Sequence, residues 1–237
     1  MSSGATQRAP AKLTLSLRVT GVRADGYHDL DAEMVTIDLA DELRFADGDS
    51  LEVVGPAAGG APPGHDNLVR RALAAVGRTA AVVLHKRIPA GAGLGGGSAD
   101  AAAVLRWAGC RDLALAASLG ADVPFCLVGG RARVAGLGEM VEPLPFEART
   151  FTVLTPPFGC STVEVYRAWD RLGGPTGDGP NDLEPAALAV EPRLAAWRDR
   201  LAGATGRRPV LAGSGSSWFV EGDFPGDGRV VTRTHGL

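Results

Sequence analysis

One glycine-rich segment constrains this chain more than any other part of its sequence: Pro89-Ala-Gly-Ala-Gly-Leu-Gly-Gly-Gly-Ser-Ala-Asp-Ala-Ala. It follows a strand-like run at residues 81–85 and precedes an alanine-rich run that predicts a helix over residues 99–107, capped by Ser98. Between a strand and a helix, glycines let the backbone wrap closely around an oxygen-rich group, and the helix N-terminus attracts negative charge. The segment therefore predicts a phosphate-binding loop, with a flexible turn that binds nothing as the alternative.

The loop matches neither of two common nucleotide motifs in full. Gly91-x-Gly93-x-x-Gly96 agrees with the dinucleotide fingerprint, but no strand ends in a carboxylate about twenty residues later. A Walker loop is excluded because no lysine follows the glycines. A nicotinamide-dependent oxidoreductase stays open as an alternative function because of the partial fingerprint.

The rest of the chain mixes strands and helices. Strict alternation of apolar and polar residues predicts a first strand over residues 11–19, with Lys12 on its polar face. Further strands are predicted at residues 34–39, 42–45, 51–54, 81–85, 132–135, 150–154, 209–212, 218–220 and 229–232. Further helices are predicted after Asn67 and Asp112, which would cap them, and at residues 163–172 and 192–201. No regular βαβ alternation is present, so the order favours an α+β fold.

Composition limits the function classes. The 237 residues include 24 basic and 27 acidic side chains, and a net charge of -3 gives no electrostatic reason to expect nucleic acid as a partner. Only two of the basic residues are lysines, Lys12 and Lys86. Because the net charge is negative, local backbone N–H groups and Lys12, and not a global positive field, must hold any phosphates. Three separated cysteines without a CxxC pair predict neither disulfides nor a zinc site and are typical of the cytoplasm. We expect no membrane span and no export signal, because long apolar runs are lacking.

Five motifs together resemble the GHMP kinase family. The glycine segment resembles its ATP loop, and Pro10-Ala-Lys-Leu-Thr-Leu and Leu211-Ala-Gly-Ser-Gly-Ser-Ser resemble its first and last signatures. Ala24-Asp-Gly-Tyr-His-Asp-Leu and Leu119-Gly-Ala-Asp-Val-Pro-Phe are similar to members whose alcohol substrate carries a cytidine diphosphate. The resemblance implies an α+β fold of two domains: a ribosomal S5 domain 2-like domain over residues 10–145 and a ferredoxin-like domain over residues 146–237. Residues 1–9 would be a flexible N-terminus.

This resemblance implies an ATP-dependent kinase that phosphorylates an alcohol, with Lys12 and Asp122 as its catalytic residues. The residues themselves agree in part, because an unpaired carboxylate would be costly in the apolar stretch around Asp122 and an ion pair with Lys12 would relieve both charges. The alternatives are that Lys12 extends to solvent and that Asp122 caps a turn.

The resemblance also implies the binding residues. Those for ATP are Asn67, Pro89, Ala90, Gly91, Ala92, Gly93, Leu94, Gly95, Gly96, Gly97, Ser98 and Ala99. Those for the cytidine-linked substrate are Tyr27, His28, Thr162 and Tyr166, since stacked rings bind a flat base. Asn67 as a plain helix cap, Tyr27 and His28 as an exposed turn, and Tyr166 as core packing stay open as alternatives.

ATP chemistry implies Mg²⁺, whose shell is mostly phosphate and water, and Ser98 is a candidate protein ligand. The sequence departs from the family pattern at Thr14, where asparagine is usual, and in its short segment after Gly213. Competing readings are a homoserine- or mevalonate-type kinase and a non-catalytic sensor with the same fold. No nucleic-acid or membrane partner is expected, and the chain would be a monomer or a homodimer.

Overall fold

A computed structural model describes residues 4–176 and 179–236 of the chain. Its strands are β1 Thr6–Val22, β2 His28–Ala46, β3 Ser50–Val54, β4 Ala81–His85, β5 Arg131–Gly136, β6 Met140–Leu144, β7 Thr150–Leu154, β8 Val210–Leu211, β9 Trp218–Glu221 and β10 Arg229–Arg233. Its helices are α1 Leu68–Ala75, α2 Gly96–Trp107, α3 Leu113–Leu119, α4 Val123–Val128, α5 Thr162–Arg171, α6 Glu184–Val190 and α7 Leu194–Thr205, with a 3₁₀ turn at Ala58–Gly60.

The strands form two sheets, and the helices occur along the chain without a regular βαβ alternation. The first sheet has the order β3-β4-β2-β5-β6, with β1 paired to β2, and the second has the order β10-β7-β9-β8. Among the described strands only β3 and β4 run parallel, whereas the other pairs are antiparallel. This arrangement confirms the α+β class.

Helix α2 lies at the centre of the first half because its residues are small. Its positions from Ala99 to Leu105 are all buried, and four of these seven side chains are alanine. Small side chains let a helix approach its neighbours closely, and α2 packs against α1, α4 and β1. The glycine loop that precedes α2 is therefore attached to a helix with seven consecutive buried residues.

The two sheets share part of one core. Leu13 and Ile37 from the first sheet pack in the same buried cluster as Phe151 and Phe219 from the second. The change from one sheet to the other falls between Leu144 and Thr150. That the chain consists of two domains with a boundary between residues 145 and 146 stays a prediction.

Several expectations need correction. Ser98 does not cap α2, because the left-handed backbone of Gly95, at φ 67°, starts the helix at Gly96. The predicted strands at 34–39 and 42–45 are parts of the single strand β2, which pairs with β1 from His28 to Thr36 and again from Ala40 to Arg44. Residues 6–9 are not flexible but begin β1 and pair with β2, whereas residues 1–3 lie outside the described residues.

Candidate active site

A cleft of about 1260 Å³ lies where the first sheet, the glycine loop and α5 meet. It is lined by residues from all five sequence motifs, among them Lys12, His28, Gly95, Asp122 and Gly213. Within the predicted nucleotide segment, Leu94 and Ala99 are buried in the core and do not line the cleft. The remaining predicted site residues line it: Tyr27, Asn67, Pro89, Ala90, Gly91, Ala92, Gly93, Gly96, Gly97, Ser98, Thr162 and Tyr166.

The glycine loop has a conformation that needs glycine. Gly91, Gly93 and Gly95 have φ values of 66°, 77° and 67°, in the left-handed region that side chains disfavour. A Cβ atom at Gly93 would lie 2.0 Å from the carbonyl oxygen of Ala212, and one at Gly95 would lie 2.7 Å from the side chain of Lys12. The loop thus packs directly on the backbone and on Lys12, and it leads into the N-terminus of α2.

Lys12 and Asp122 form a partly buried ion pair. The ammonium of Lys12 lies 3.2 Å from an Asp122 carboxylate oxygen and donates a 3.0 Å hydrogen bond to Thr14 Oγ1. Lys12 is 5% exposed, so it does not extend to solvent. Asp122 precedes α4, but its side chain caps no N–H group. The geometry therefore disagrees with both alternatives, a solvent-exposed Lys12 and an Asp122 that caps a turn. Thr14 supplies an oxygen acceptor at the position where the resemblance led us to expect asparagine.

The last signature contains the segment Gly213-Ser-Gly-Ser-Ser, called here the third glycine motif, which lines the floor of the cleft. The N–H groups of Ser216 and Ser217 donate to the carbonyls of Gly91 and Ala92, at 3.2 and 3.0 Å. A Cβ atom at Gly213 would lie 3.4 Å from the ammonium of Lys12. Because these two N–H groups are bonded within the protein, they position the glycine loop instead of binding phosphate.

An aromatic wall, made of His28 and Tyr166, lines the cleft, and Trp169 packs against His28 without lining the cleft. The ring of His28 is 4.8 Å from that of Tyr166 and meets Trp169 edge-on at 5.4 Å. His28 Nε2 is hydrogen-bonded to Asp170 at 2.7 Å. Burial, reinforced by the charge of Asp122, raises the pKa of Tyr166, so its phenol stays a neutral hydrogen-bonding group. Tyr27 is 63% exposed and stands at the rim of the cleft.

Comparison with known proteins assigns the family. The profile described as GHMP kinases N terminal domain matches residues 67–130. The 4-diphosphocytidyl-2-C-methyl-D-erythritol kinase of Paracoccus denitrificans is 40% identical over 239 residues, which span 90% of this chain and 85% of that protein. The chain belongs to the GHMP kinase family. It is accordingly an ATP-dependent small-molecule kinase.

Solved structures of other GHMP kinases agree with this assignment. A crystal structure of a 4-(cytidine 5'-diphospho)-2C-methyl-D-erythritol kinase superimposes with a TM-score of 0.76 at 33% identity and covers 98% of this chain and 100% of that one. The mevalonate kinase of Methanococcus jannaschii, at 12% identity, covers 100% of this chain and 99% of that one with a TM-score of 0.59, and it shares the fold alone. The two-sheet α+β architecture is that of the family.

Two predicted binding residues of this GHMP kinase are held by local contacts. Asn67 caps α1 by accepting from the N–H of Val69 at 2.9 Å, and its amide donates to the carbonyl of Pro62 at 3.1 Å. Asn67 is therefore a helix cap, as predicted, and also ties the helix to the segment at Pro62. Thr162, the first residue of α5, is hydrogen-bonded to Ser214 at 2.8 Å, which joins the second half to the cleft floor.

A buried charged cluster of Lys86, Asp41 and Asp100 lies beside the cleft, and of the three only Asp100 belongs to a sequence motif. Lys86 is 2% exposed and its ammonium contacts Asp41 at 2.5 Å and Asp100 at 2.8 Å. Lys86 and Asp100 both line the cleft. The scarcity of lysine was the one signal pointing to Lys86, because no local pattern brings together residues 41, 86 and 100.

Asn181 is another buried residue that the motifs did not indicate. It donates to the carbonyls of Leu211 and Gly213 at 2.9 and 2.7 Å, which fixes the third glycine motif.

Proposed function

We propose that this GHMP kinase transfers the γ-phosphoryl group of ATP to the 2-hydroxyl of 4-diphosphocytidyl-2-C-methyl-D-erythritol, a step of non-mevalonate isoprenoid biosynthesis. The observation that carries the proposal is one cleft in which the Lys12–Asp122 pair lies beside a glycine loop and shares the cavity with the aromatic wall. Relatives named for this substrate are 40% identical over 90% of the chain, which supports the same choice.

The triphosphate of ATP binds along the glycine loop. The first N–H groups of a helix have no partner within the helix, and together with the helix dipole they stabilise anions. The space that a Cβ atom would fill at Gly93 and Gly95 is needed for the loop to keep this course. Asn67 lines the cleft on the α1 side, and we assign the adenosine to that side.

Lys12 and Asp122 act on the hydroxyl and the transferring group. Phosphoryl transfer has a loose transition state, so the protein chiefly aligns the two substrates and stabilises charge. Asp122, being 32% exposed, is open to the cleft, where it orients the hydroxyl and accepts its proton. The buried ammonium of Lys12 supplies positive charge at the same place, and Thr14 and Gly213 restrict its position.

The cytidine end of the substrate binds at the aromatic wall. A flat base gains stacking energy against rings such as those of Tyr27 and Tyr166, and a histidine edge reads its hydrogen-bonding groups. Thr162, whose hydroxyl meets Ser214 at the cleft floor, lies on the path between the wall and the catalytic pair and is assigned to the diphosphate.

The chain offers few ligands of its own for the Mg²⁺ that would accompany ATP. In the residues that the structure describes, no group of three or more His, Cys, Asp or Glu side chains is arranged to hold a metal ion. A magnesium shell made mostly of phosphate and water oxygens suits such a site. We assign one protein oxygen to it, the hydroxyl of Ser98 in the first turn of α2. When bound, Mg²⁺ neutralises charge on the phosphates.

The assignment is tested by following ADP release from ATP and Mg²⁺ with purified protein. We expect ADP to form with 4-diphosphocytidyl-2-C-methyl-D-erythritol, and far less with homoserine or mevalonate as the acceptor. ADP release with homoserine alone, or with mevalonate alone, would show that the chain is a homoserine- or mevalonate-type kinase. ATP binding without release for any acceptor would indicate a sensor.

Cellular location and assembly complete the proposal. None of the described helices is long and apolar enough to cross a membrane. We propose a cytoplasmic enzyme, which the three unpaired thiols of Cys110, Cys126 and Cys160 support. A monomer or a homodimer is the proposed state in solution, and sedimentation of the purified chain distinguishes the two.

A further inference from the structure

Lys86, Asp41 and Asp100 form a buried cluster next to the glycine loop, called here the Lys86 cluster. The three residues are 2%, 1% and 3% exposed, so each needs its partners to compensate for lost hydration. Lys86 donates to one oxygen of each carboxylate, at 2.5 Å for Asp41 and 2.8 Å for Asp100. None of these side chains has a part in the proposed phosphoryl transfer.

The Lys86 cluster touches both ends of the loop. On the entry side, the second oxygen of Asp41 accepts from the N–H groups of Arg87 and Ile88, at 2.5 and 2.9 Å, just before Pro89. On the exit side, Asp100 belongs to the first turns of α2. One ammonium thus connects the strand-side end of the loop, through Asp41, to the helix-side end, through Asp100.

Gly96 shows how closely the exit side approaches the ammonium. A Cβ atom there would lie 3.1 Å from the Lys86 ammonium and 2.9 Å from the side chain of Ile88, which is fully buried. Because neither neighbour has room to move, glycine is needed at this position for the contact to form. The glycine at 96 thus serves the Lys86 cluster as well as the phosphate site.

One carboxylate oxygen of the Lys86 cluster has no partner. Lys86 donates to Oδ2 of Asp100, whereas the Oδ1 atom has no hydrogen-bond partner in the described residues. Asparagine at position 100 would keep the shape of this side chain and an oxygen that accepts from Lys86.

We propose that Lys86, Asp41 and Asp100 are positioning residues that hold the two ends of loop 89–95 at a fixed separation and thereby set the affinity for the phosphates of ATP. The inference rests on the proposed binding of ATP along that loop. A loop whose ends are fixed loses less conformational entropy when it binds its ligand. In this proposal the cluster acts through the backbone at the two ends of the loop.

The test compares Asp100→Ala with Asp100→Asn in the full chain, measuring ATP affinity by titration calorimetry. Asp100→Ala cuts the tie to the helix-side end while Lys86 keeps Asp41. It should weaken ATP binding about tenfold or more, the effect of losing one charge-assisted hydrogen bond. Asp100→Asn should restore the affinity to within about threefold of the parent, because the amide can still accept from Lys86. The KM for the alcohol should stay nearly unchanged in both.

A matched control separates positioning from general stability. Arg106 lies at the other end of α2 and donates to the carbonyls of Cys126 and Arg8, at 2.7 and 2.9 Å. Arg106→Met should lower the melting temperature and leave ATP affinity unchanged. Normal ATP affinity in Asp100→Ala, or equal weakening of both substrates, would overturn the inference. If the calorimetry gives the expected pattern but the alcohol yields no ADP, the substrate assignment fails and the positioning role stands.

Discussion

Lys12 shows how much of the site single residues reveal. Its place inside a sequence motif predicted the catalytic role, and its position on the polar face of an apolar strand predicted a partner. The partner at 3.2 Å is Asp122, as the ion-pair reasoning expected. Thr14 departs from the family pattern in the sequence, and its role does not follow from that pattern. Only the structure shows that its hydroxyl oxygen accepts from the Lys12 ammonium at 3.0 Å.

Asp122→Asn tests the catalytic pair. The amide keeps the size of the carboxylate but accepts a proton poorly, so kcat should fall about a hundredfold or more while ATP affinity stays near that of the parent. Stopped assays of ADP release and ATP calorimetry measure the two quantities. Asp199→Asn, an exposed aspartate on α7, is the control and should turn over normally. A near-parental kcat in Asp122→Asn would show that the base lies elsewhere.

Asp170 is expected to position His28. By accepting from Nε2, the carboxylate fixes the tautomer and orientation of the imidazole against Tyr166 and Trp169. Asp170→Ala should raise the KM for the cytidine-linked alcohol about tenfold, the loss of one charge-assisted hydrogen bond, with little change in the KM for ATP. Steady-state kinetics measure both, and Arg171→Ala on the next, exposed position is the control.

A double-mutant cycle checks that Asp170 acts through the histidine. In a His28→Gln background, Asp170→Ala should have little further effect on the KM for the alcohol. A full tenfold effect in that background would mean that Asp170 contacts the substrate directly or supports α5 by another route.

At the scale of elements, local patterns predicted strongly periodic segments and missed short buried ones. The strand Ala81–His85 and the helix after Asn67 were predicted from alternation and from a cap, and both are present. The six-residue helix α4, Val123–Val128, was missed because a short apolar run with proline has no clear period. The cap of α2 was misplaced because the left-handed backbone of Gly95, and not the side chain of Ser98, starts that helix.

Asn181 tests how the second half holds the cleft floor. Its buried amide bonds the carbonyls of Leu211 and Gly213 and accepts from the N–H of Leu183, so removing it leaves three buried groups without partners. Asn181→Ala should lower the free energy of unfolding by about 2 to 4 kcal/mol. It should also reduce kcat, because Gly213 packs against Lys12.

Urea unfolding measures the stability loss in Asn181→Ala, and ADP release measures the rate. Thr205→Ala removes one hydrogen bond to Leu201 on α7, in the same half of the molecule, and is the comparison variant. If Asn181→Ala unfolds like the parent protein, the amide does not fix the floor in the way described.

For the whole molecule, the pKa of Asp100 predicts a pH-dependent stability. Its pKa rises from 3.8 to about 8 on folding because of burial, with Lys86 opposing the rise. The folded chain therefore keeps a proton that the unfolded chain loses above about pH 4, so this contribution is full below pH 4 and is lost as the pH rises toward 8. The free energy of unfolding should fall by about 1.4 kcal/mol per pH unit from this group across that window.

Urea unfolding of the parent and of Asp100→Asn at several values between about pH 5 and 8 isolates the contribution. Other groups titrate equally in both proteins, so the difference between the two slopes belongs to Asp100. Parallel curves would show that Asp100 is ionised throughout this range.

The joining of distant segments also bears on how the chain is made. Asp38 of β2 accepts hydrogen bonds from the hydroxyl of Thr232, 194 residues later, and from the N–H of Arg233 at 3.0 Å. The N–H of His235 donates to the carbonyl of Thr36 at 2.9 Å. On the ribosome, β2 emerges long before these partners exist, so this part of the strand waits for its partners during translation. The segment around Thr232 to His235 thus completes contacts of a strand made about 190 residues earlier, and the first sheet gains its full set of contacts only after both halves of the fold have been made.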